Sequence, residues 1–177
     1  MRKIRYSCAM SLDGYIAGPA GEYDWIVMDP DFDFPAIFEQ FDTYLLGRKT
    51  FEVTGAQVSP VASGIRTYVF SKTLRQSDFQ NVPIIGDNWK ELVQSLREEE
   101  GKDIWLFGGG SLFRSLADEG LVDTVEVAIV PVLLGAGVPL VAEPATKIDL
   151  TLKQHKLYEK TGTVSLVYEV NKPAGRR

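Results

Sequence analysis

Cysteine and histidine are almost absent from this chain, which contains only Cys8 and His155. A single cysteine excludes an intrachain disulfide framework and is typical of a protein from the reducing cytoplasm. One thiol and one imidazole are too few for a Cys/His metal site, so we expect no bound metal. No apolar run approaches the ~20 residues of a membrane span, and no segment typical of a signal peptide follows Met1. We therefore predict a cytoplasmic protein without a membrane partner.

Positive charge is also scarce, because the formal net charge is −5. A partner made of duplex nucleic acid is therefore not expected. Repeats and low-complexity segments are missing too. The 177 residues, 45% hydrophobic and 24% charged, have the composition of an ordinary globular domain. We predict one domain over residues 1–170 and a flexible tail over residues 171–177.

Two phosphate-binding signatures are absent, the P-loop and the Gly-x-Gly-x-x-Gly fingerprint. The chain has instead a run of three glycines, Gly108–Gly110, between an apolar segment at residues 104–107 and a helical pattern that starts at Ser111. A strand that turns through glycines into a helix leaves backbone N–H groups free at the helix N-terminus, where the helix dipole favours an anion. Glycine also lets a phosphate approach the backbone closely. This run predicts a phosphate-bearing ligand, most simply a nucleotide cofactor.

The hydrophobic pattern predicts strands alternating with helices, followed by strands only. Eight strands are expected, over residues 4–10, 43–46, 66–70, 82–85, 104–107, 122–130, 148–158 and 163–170. Helices are expected to begin near Asp33, Arg48, Asn88 and Ser111. The first helix should carry Phe38 and Phe41 on its apolar face, and residues 11–32 should form a loop. Because strands joined by helices run parallel, the fold class is α/β, with a mixed, mostly parallel sheet, a C-terminal antiparallel hairpin and helices on both faces.

Three of the predicted strand ends carry groups that suit an anion. Besides the glycine run, these are Gly47-Arg48-Lys49-Thr50 and Phe70-Ser71-Lys72. Arginine offers phosphate a planar fork of donors, and lysine offers a point charge. The carboxyl ends of parallel strands share one edge of the sheet, so neighbouring strands would give a dinucleotide several anion sites. The alternative is three unrelated helix entries with ordinary surface charges.

The carboxylates form no clear acid–base pair. Asp13 fits an Asp-Gly turn, and Asp33 fits a helix N-cap. Asp33 and Glu39 are the candidates for protonating a substrate ring. Trp25 is a candidate for stacking on a planar ligand, with burial in the core as the alternative. Cys8 lies within the first strand, where burial is expected to suppress thiol reactivity.

Four segments together resemble the dihydrofolate reductase-like superfamily, and most closely its branch typified by the C-terminal reductase domain of the bacterial riboflavin-biosynthesis protein RibD. They are Ala9–Ile16 (AMSLDGYI), Leu45–Glu52 (LLGRKTFE), Phe107–Leu112 (FGGGSL) and Val130–Leu140 (VPVLLGAGVPL). The resemblance extends from about residue 2 to residue 170. It implies a dihydrofolate reductase-like three-layer sandwich and a homodimer.

The resemblance also implies NADPH as hydride donor, with Arg48 and Lys72 near the 2′-phosphate and Gly109–Ser111 at the pyrophosphate. The cofactor-binding residues that it implies are Ala9, Ile16, Gly47, Arg48, Lys49, Thr50, Phe70, Ser71, Lys72, Gly108, Gly109, Gly110, Ser111 and Leu112. Contacts to a small-molecule substrate are expected from Asp13, Trp25, Phe38 and Phe107.

Two features depart from the riboflavin enzymes. Those enzymes carry an acidic residue directly before the glycine pair, where this chain has Phe107 (or Gly108, if the alignment slips by one). The deaminase half of the bifunctional enzyme is absent as well. We therefore predict an NADPH-dependent reductase that is similar to 5-amino-6-(5-phosphoribosylamino)uracil reductase and acts on a small heterocyclic or ribosylamino-pyrimidine-like substrate. The alternatives are a dihydrofolate reductase and a nucleotide-binding protein without turnover.

Overall fold

Ten β-strands and four α-helices make up the computed structural model, which describes residues 1–54 and 64–171. The strands are β1 (Ile4–Ser11), β2 (Tyr15–Ala17), β3 (Phe41–Gly47), β4 (Arg66–Phe70), β5 (Ile84–Ile85), β6 (Asp103–Gly108), β7 (Thr124–Val130), β8 (Val138–Pro139), β9 (Leu150–Tyr158) and β10 (Thr163–Val170). The helices are α1 (Phe34–Phe38), α2 (Arg48–Thr54), α3 (Trp89–Glu98) and α4 (Gly110–Asp118). Eight strands form one sheet in the order β5-β4-β3-β6-β1-β7-β10-β9, and β2 pairs with β8 separately.

The sheet is parallel from β5 to β7 and antiparallel in its last two strands. Parallel neighbours bring their carboxyl ends to the same edge. There Leu46 of β3 lies opposite Gly108 of β6, while the next residue, Gly47, lies opposite Phe70 of β4. The three strand ends with anion-binding character therefore meet at one edge, as the sequence predicted.

Apolar residues fill both faces of the sheet. On one face, Ile104 and Leu106 of β6 pack in a core with Leu116 of α4. On the other face, Trp105 packs in a second core, which partly buried Ile37 of α1 joins. Because side chains alternate along a strand, one strand supplies both cores. The result is the predicted α/β fold, with helices on both faces of a mostly parallel sheet of eight strands.

The helices are short and amphipathic. The longest, α3, has ten residues and buries Val93 and Leu96 against the sheet. Helix α1 starts at the predicted cap, where the Asp33 carboxylate accepts a hydrogen bond from the Ala36 amide at 3.0 Å. Within residues 1–54 and 64–171, no helix has the length and apolar character needed to cross a membrane.

Three details differ from the sequence prediction. Phe41 is the first residue of β3 rather than part of the α1 face, and its ring packs 5.0 Å from that of Trp105. The expected loop at residues 11–32 contains β2, which is too short for an alternating pattern and forms only because β8 pairs with it. Asn171, predicted to belong to the tail, is held by the Thr151 hydroxyl at 2.9 Å. The rest of the predicted tail, residues 172–177, lies outside the described residues.

Candidate cofactor and substrate cleft

A cleft of about 1680 Å³ runs along the carboxyl edge of the sheet and continues over one sheet face. Pockets for a single small ligand measure about 300–1,000 Å³, so this cleft has room for two ligands side by side. All of the sequence-predicted cofactor residues line it: Ala9, Ile16, Gly47, Arg48, Lys49, Thr50, Phe70, Ser71, Lys72, Gly108, Gly109, Gly110, Ser111 and Leu112. Residues that come from five separate stretches of the sequence thus face one space.

Glycines make the cofactor side of the cleft narrow and free of side chains. A Cβ atom on Gly47 would lie 3.5 Å from the Gly108 carbonyl oxygen, so the ends of β3 and β6 are in close contact. A Cβ on Gly109 would lie 3.4 Å from the Thr50 hydroxyl and 3.9 Å from Cδ1 of Ile16. The missing side chains leave a cradle of backbone, one hydroxyl and one methyl group. Such a cradle fits the pyrophosphate of a dinucleotide.

Helix α4 begins directly at this cradle. Gly109 is its N-cap and provides no side-chain cap. The first amides of a helix have no partner within the helix, so those of Gly110 and Ser111 are donors for an anion in the cleft. A Cβ on Gly110 would stand only 2.7 Å from the Pro139 carbonyl oxygen and 2.9 Å from that of Leu140. The start of α4 therefore lies in contact with the segment that follows β8.

Cations flank the glycine cradle on two sides. Arg48 forms an i,i+4 ion pair with Glu52 at 2.9 Å, and its side chain is 40% exposed. Lys72 pairs with Asp87 at 3.1 Å, and both of these side chains are largely exposed. Exposed ion pairs contribute little to stability, so either cation can turn toward a ligand at small cost. Lys49 adds a third positive charge to the cleft wall.

Ser71 shapes the turn that follows β4. Its hydroxyl oxygen accepts hydrogen bonds from the amides of Thr73 at 3.1 Å and Leu74 at 3.0 Å. Its own amide donates to the Ile85 carbonyl oxygen at 2.9 Å. The Ser71 hydroxyl also lies 3.4 Å from the Thr73 hydroxyl, so Ser71 fixes the turn beside Lys72.

Aromatic rings line the other part of the cleft in a continuous chain, called here the aromatic wall. Successive ring centroids are 4.3, 5.2, 6.0, 5.6 and 5.0 Å apart, in the order Tyr158, Phe32, Phe34, Phe38, Trp105 and Phe107. The Trp105 indole is fixed because its Nε1 donates to the Ser7 carbonyl oxygen at 2.9 Å. Rings held in this way offer flat apolar surfaces to a planar ligand. Phe38 and Phe107 are the two predicted substrate residues that this wall includes.

An ion pair on the sheet face stands beside the aromatic wall. Glu126 of β7 accepts from Arg5 Nε at 2.6 Å and from Arg5 Nη2 at 2.9 Å. Both side chains line the cleft and are less than 20% exposed. Sequence reasoning missed this pair. The signal that could have found it is one arginine and one glutamate inside two otherwise apolar or hydroxylated strands.

Four of the residues proposed from the sequence do not line the cleft. The Asp33 carboxylate caps α1, and Glu39 follows the end of that helix as an exposed residue. Trp25 donates from Nε1 to the Glu22 carbonyl oxygen at 3.2 Å within its own loop. The Asp33 carboxylate and the Trp25 indole N–H are therefore used in local hydrogen bonds. Gln40, rather than a carboxylate, extends from the end of α1 into the cleft, where it accepts from Arg5 at 2.7 Å.

Asp13 is the fourth of these residues, and its carboxylate joins two loops. It accepts from the Ser11 hydroxyl at 2.6 Å, from the Gly135 amide at 2.7 Å and from the Leu134 amide at 3.1 Å. The hydrogen bond from Ser11, followed by those from Gly135 and Leu134, lowers the pKa of this carboxyl. Asp13 thus connects the loop after β1 to the loop after β7, instead of facing a substrate.

We expect Asp13→Asn to destabilise the protein at pH 7 but not at low pH. The folded protein favours the ionised carboxylate, so its contribution to stability is complete above the unfolded pKa of about 3.9 and is lost as the pH falls through the lower folded pKa. Urea unfolding of the wild type and the variant should give free energies that differ at pH 7 and converge as the pH falls below about 4. Asp24→Asn, at an exposed carboxylate, is the control. A gap for Asp13→Asn that is constant with pH would contradict this account.

The single cysteine and the single histidine have different environments. Burial raises the pKa of the Cys8 thiol to about 12, so at neutral pH it stays protonated. His155 is exposed on the edge strand β9 and lines the far end of the cleft. Cys8 lies on β1, the neighbour of β6 in the sheet, whereas His155 lies on β9, the edge strand farthest from the glycine cradle at the ends of β3 and β6.

The comparison of this chain with known sequences agrees with the geometry. A family model described as the RibD C-terminal domain matches residues 2–164. The uncharacterized protein YyaP of Bacillus subtilis (strain 168) is 37% identical over 182 residues, which cover 96% of this chain and 96% of that protein.

Solved structures share the fold. A pyrimidine reductase-like protein from Corynebacterium diphtheriae aligns with a TM-score of 0.73 at 16% identity, covering 97% of this chain and 92% of that one. Dihydrofolate reductase from Enterococcus faecalis, complexed with NADP(H), aligns with a TM-score of 0.69 at 17% identity, over 96% and 97% of the two chains. The deaminase/5-amino-6-(5-phosphoribosylamino)uracil reductase of Thermotoga maritima aligns with a TM-score of 0.70 at 14% identity, over 96% of this chain but 57% of its own. At these identities, the likeness shows a dihydrofolate reductase-like fold.

Proposed function

Because this chain belongs to the RibD C-terminal domain family, we propose that it is an NADPH-dependent reductase of a small planar heterocycle. The observation that carries the proposal is the glycine cradle at the start of α4, which the cations of two other strand ends flank. Arg48 and Lys72 come from separate strands, yet both line the same cleft as Gly109. A ligand with several phosphates uses all of these groups at once. The dihydrofolate reductase from Enterococcus faecalis, which shares this fold, was solved with NADP(H).

The residues of the cradle fit a dinucleotide. The amides of Gly110 and Ser111 would hold the pyrophosphate, and the missing side chains at Gly108 and Gly109 would let it reach the backbone. Arg48 and Lys72 would hold the 2′-phosphate, which distinguishes NADPH from NADH. When bound, NADPH supplies the hydride, and the protein supplies binding and orientation.

The aromatic wall would hold the substrate. Trp105, Phe38 and Phe107 present flat surfaces on which a planar ring can stack. Holding the acceptor ring against the cofactor in one cleft would provide most of the rate, because it replaces a bimolecular encounter. Since Asp33 and Glu39 do not line the cleft, we propose solvent water as the proton source.

Titration with NADPH, followed by a turnover assay, tests the proposal. We expect the wild-type protein to bind NADPH saturably and more tightly than NADH, as measured by calorimetry. We also expect NADPH oxidation, followed at 340 nm, with at least one member of a panel of oxidised pyrimidines and pterins. The 5-amino-6-ribosylaminouracils, with and without phosphate, belong in that panel.

The same assay separates the alternatives. Turnover of dihydrofolate that methotrexate inhibits competitively would identify a dihydrofolate reductase instead. Binding of NADPH without oxidation across the whole panel would leave a nucleotide-binding protein. Absence of NADPH binding would overturn the proposal itself. The homodimer and the cytoplasmic location that the sequence suggested stay predictions.

A further inference from the structure

The carboxylate of Glu126 on the cleft floor has the chemistry of a substrate-recognition group. We infer that Glu126 selects a planar nitrogen heterocycle that carries an exocyclic amino group as an N–H donor, while the aromatic wall stacks on its ring. This inference rests on the proposed function, because it names the substrate class for the same cleft. It assigns Glu126 as a specificity-determining residue for the acceptor, not for the cofactor.

Glu126 is held rigidly with one acceptor position still available. Among residues 1–54 and 64–171, its Oε1 atom accepts from Arg5 Nε at 2.6 Å and from the Thr124 hydroxyl at 2.8 Å, while Oε2 accepts only from Arg5 Nη2, at 2.9 Å. A carboxylate offers about four acceptor positions, so three are used and one remains on Oε2. The side chain is 13% exposed, and it lines the cleft. The hydrogen bonds to Arg5 and Thr124 therefore fix the orientation of the carboxylate, and the remaining acceptor position on Oε2 is open to a ligand.

The Arg5 guanidinium is held by hydrogen bonds and packing contacts with neighbouring side chains. Besides Glu126, its guanidinium donates to Gln40 at 2.7 Å and to Asp103 at 3.4 Å, and it packs 4.6 Å from the centre of the Phe41 ring. One positive charge thus faces two carboxylates, Glu126 and Asp103, which gives the cluster a net negative charge. The cluster therefore has no excess positive charge that would attract a phosphate, whereas its carboxylate can accept a hydrogen bond from an N–H donor.

Sheet register places this carboxylate beside the stacking surface. Arg5 lies opposite Trp105 on one side and opposite Thr124 on the other, and Ser7 lies opposite Glu126. Paired residues in a sheet point to the same face, and so do residues two apart on one strand, so Trp105, Arg5 and Glu126 share the cleft floor. A ring stacked on the aromatic wall would present its edge to Glu126.

The place of Glu126 in the sheet also bears on one difference between this chain and the riboflavin enzymes, the residue before the glycine run. The riboflavin enzymes that this chain resembles carry an acidic residue before the glycine run, where this chain has Phe107. Strands β6 and β7 flank β1, so Phe107 and Glu126 stand two strand spacings apart, about 10 Å. The acidic group of this cleft comes from a different strand, so the recognised edge of the substrate lies in a different place.

A pair of matched heterocycles tests the inference on the wild-type protein. The probes are pterin, which carries a 2-amino group as an N–H donor, and 4-hydroxypteridine, which has the same ring system but lacks that amino group. Calorimetric titrations, without nucleotide and with saturating NADP⁺, should show pterin binding about tenfold tighter or more. Equal affinity of the two probes, or no binding of either, would overturn the inference.

Substitution then assigns the selectivity to one residue. Glu126→Gln keeps the shape and one acceptor but loses the charge, so we expect the affinity ratio of the two probes to fall to about two or less. Glu169→Gln, at an exposed carboxylate on β10 that does not line the cleft, should keep the wild-type ratio. An unchanged ratio in Glu126→Gln would overturn the assignment. If Glu126→Gln does not fold, the comparison of the two probes on the wild-type protein still tests the inference.

Binding of NADPH, measured separately, distinguishes this inference from the proposed function. The affinity for NADPH should be the same within about twofold in Glu126→Gln and the wild type, because the residue lies away from the glycine cradle. NADPH binding without pterin selectivity would overturn the inference alone. Pterin selectivity that depends on Glu126, without NADPH binding, would support the inference while overturning the reductase proposal.

Discussion

Replacing Gly110 with alanine should lower the melting temperature by about 6–12 °C and weaken NADPH binding at least tenfold. The new methyl group would lie 2.7 Å from the Pro139 carbonyl oxygen, 2.9 Å from that of Leu140 and 3.1 Å from the Ala142 amide nitrogen. These are backbone atoms, which cannot rotate away, so the start of α4 must shift. Overpacking of this kind costs about 3 kcal/mol, and in a protein of this size each kcal/mol lowers the melting temperature by about 2–4 °C. The shift also displaces the amides proposed to hold the pyrophosphate.

Gly86→Ala provides the matched control for Gly110→Ala. Gly86 also lines the cleft, but a Cβ at that position would have no atom within 4 Å. Its melting temperature, measured by calorimetry or circular dichroism, should equal that of the wild type. A Gly110→Ala protein with the melting temperature and the NADPH affinity of the wild type would show that α4 does not depend on the close contact between Gly110 and the Pro139 and Leu140 carbonyl oxygens.

Arg48→Ala should weaken NADPH binding by about 10- to 100-fold and leave NADH binding unchanged. A charged hydrogen bond to the 2′-phosphate contributes about 1.5–3 kcal/mol, and NADH has no phosphate at that place. The ion pair with Glu52 is exposed and is not needed for folding, so the variant should be as stable as the wild type. Fluorescence titration with both nucleotides measures the two affinities.

Glu52→Gln is the control for Arg48→Ala. It removes the intrahelical partner of Arg48 but leaves the guanidinium in place, so NADPH should bind as well as to the wild type or more tightly. Equal losses of NADPH and NADH affinity in Arg48→Ala would argue against recognition of the 2′-phosphate by this residue. In that case Lys72, which follows the neighbouring strand β4 and also lines the cleft, would be the next residue to substitute.

Local sequence patterns were sufficient for the larger elements. Long apolar segments such as 104–107 and 163–170 predicted strands because a buried strand needs continuous or alternating apolar residues. The Gly108–Gly110 run predicted a strand–turn–helix unit because it lies between an apolar segment and a helical pattern, and the structure adds that a Cβ on Gly110 would meet the Pro139 and Leu140 carbonyl oxygens. The same patterns failed for β2 and β8, which have three and two residues and depend on each other.

The substrate side of the cleft was harder to predict than the cofactor side. Cofactor groups follow strand ends, and the sequence shows where strands end. Asp13 and Trp25 were proposed as substrate residues, yet the hydrogen bonds of both belong to loops. Arg5 and Glu126 are 121 residues apart in the sequence, and only the pairing of β1 with β7 brings them together.

The sequence by itself determined the order of the larger strands and helices, the parallel character of most of the sheet and the glycine run at the start of α4, because each follows from hydrophobic periodicity or from glycine's lack of a side chain. The tertiary structure alone decided which strands are neighbours, and therefore which side chains share the cleft floor. Contacts across a sheet depend on strand order and register, and one step in register moves a side chain to the opposite face. For this reason the aromatic wall and the Arg5–Glu126 pair became visible only in the folded chain.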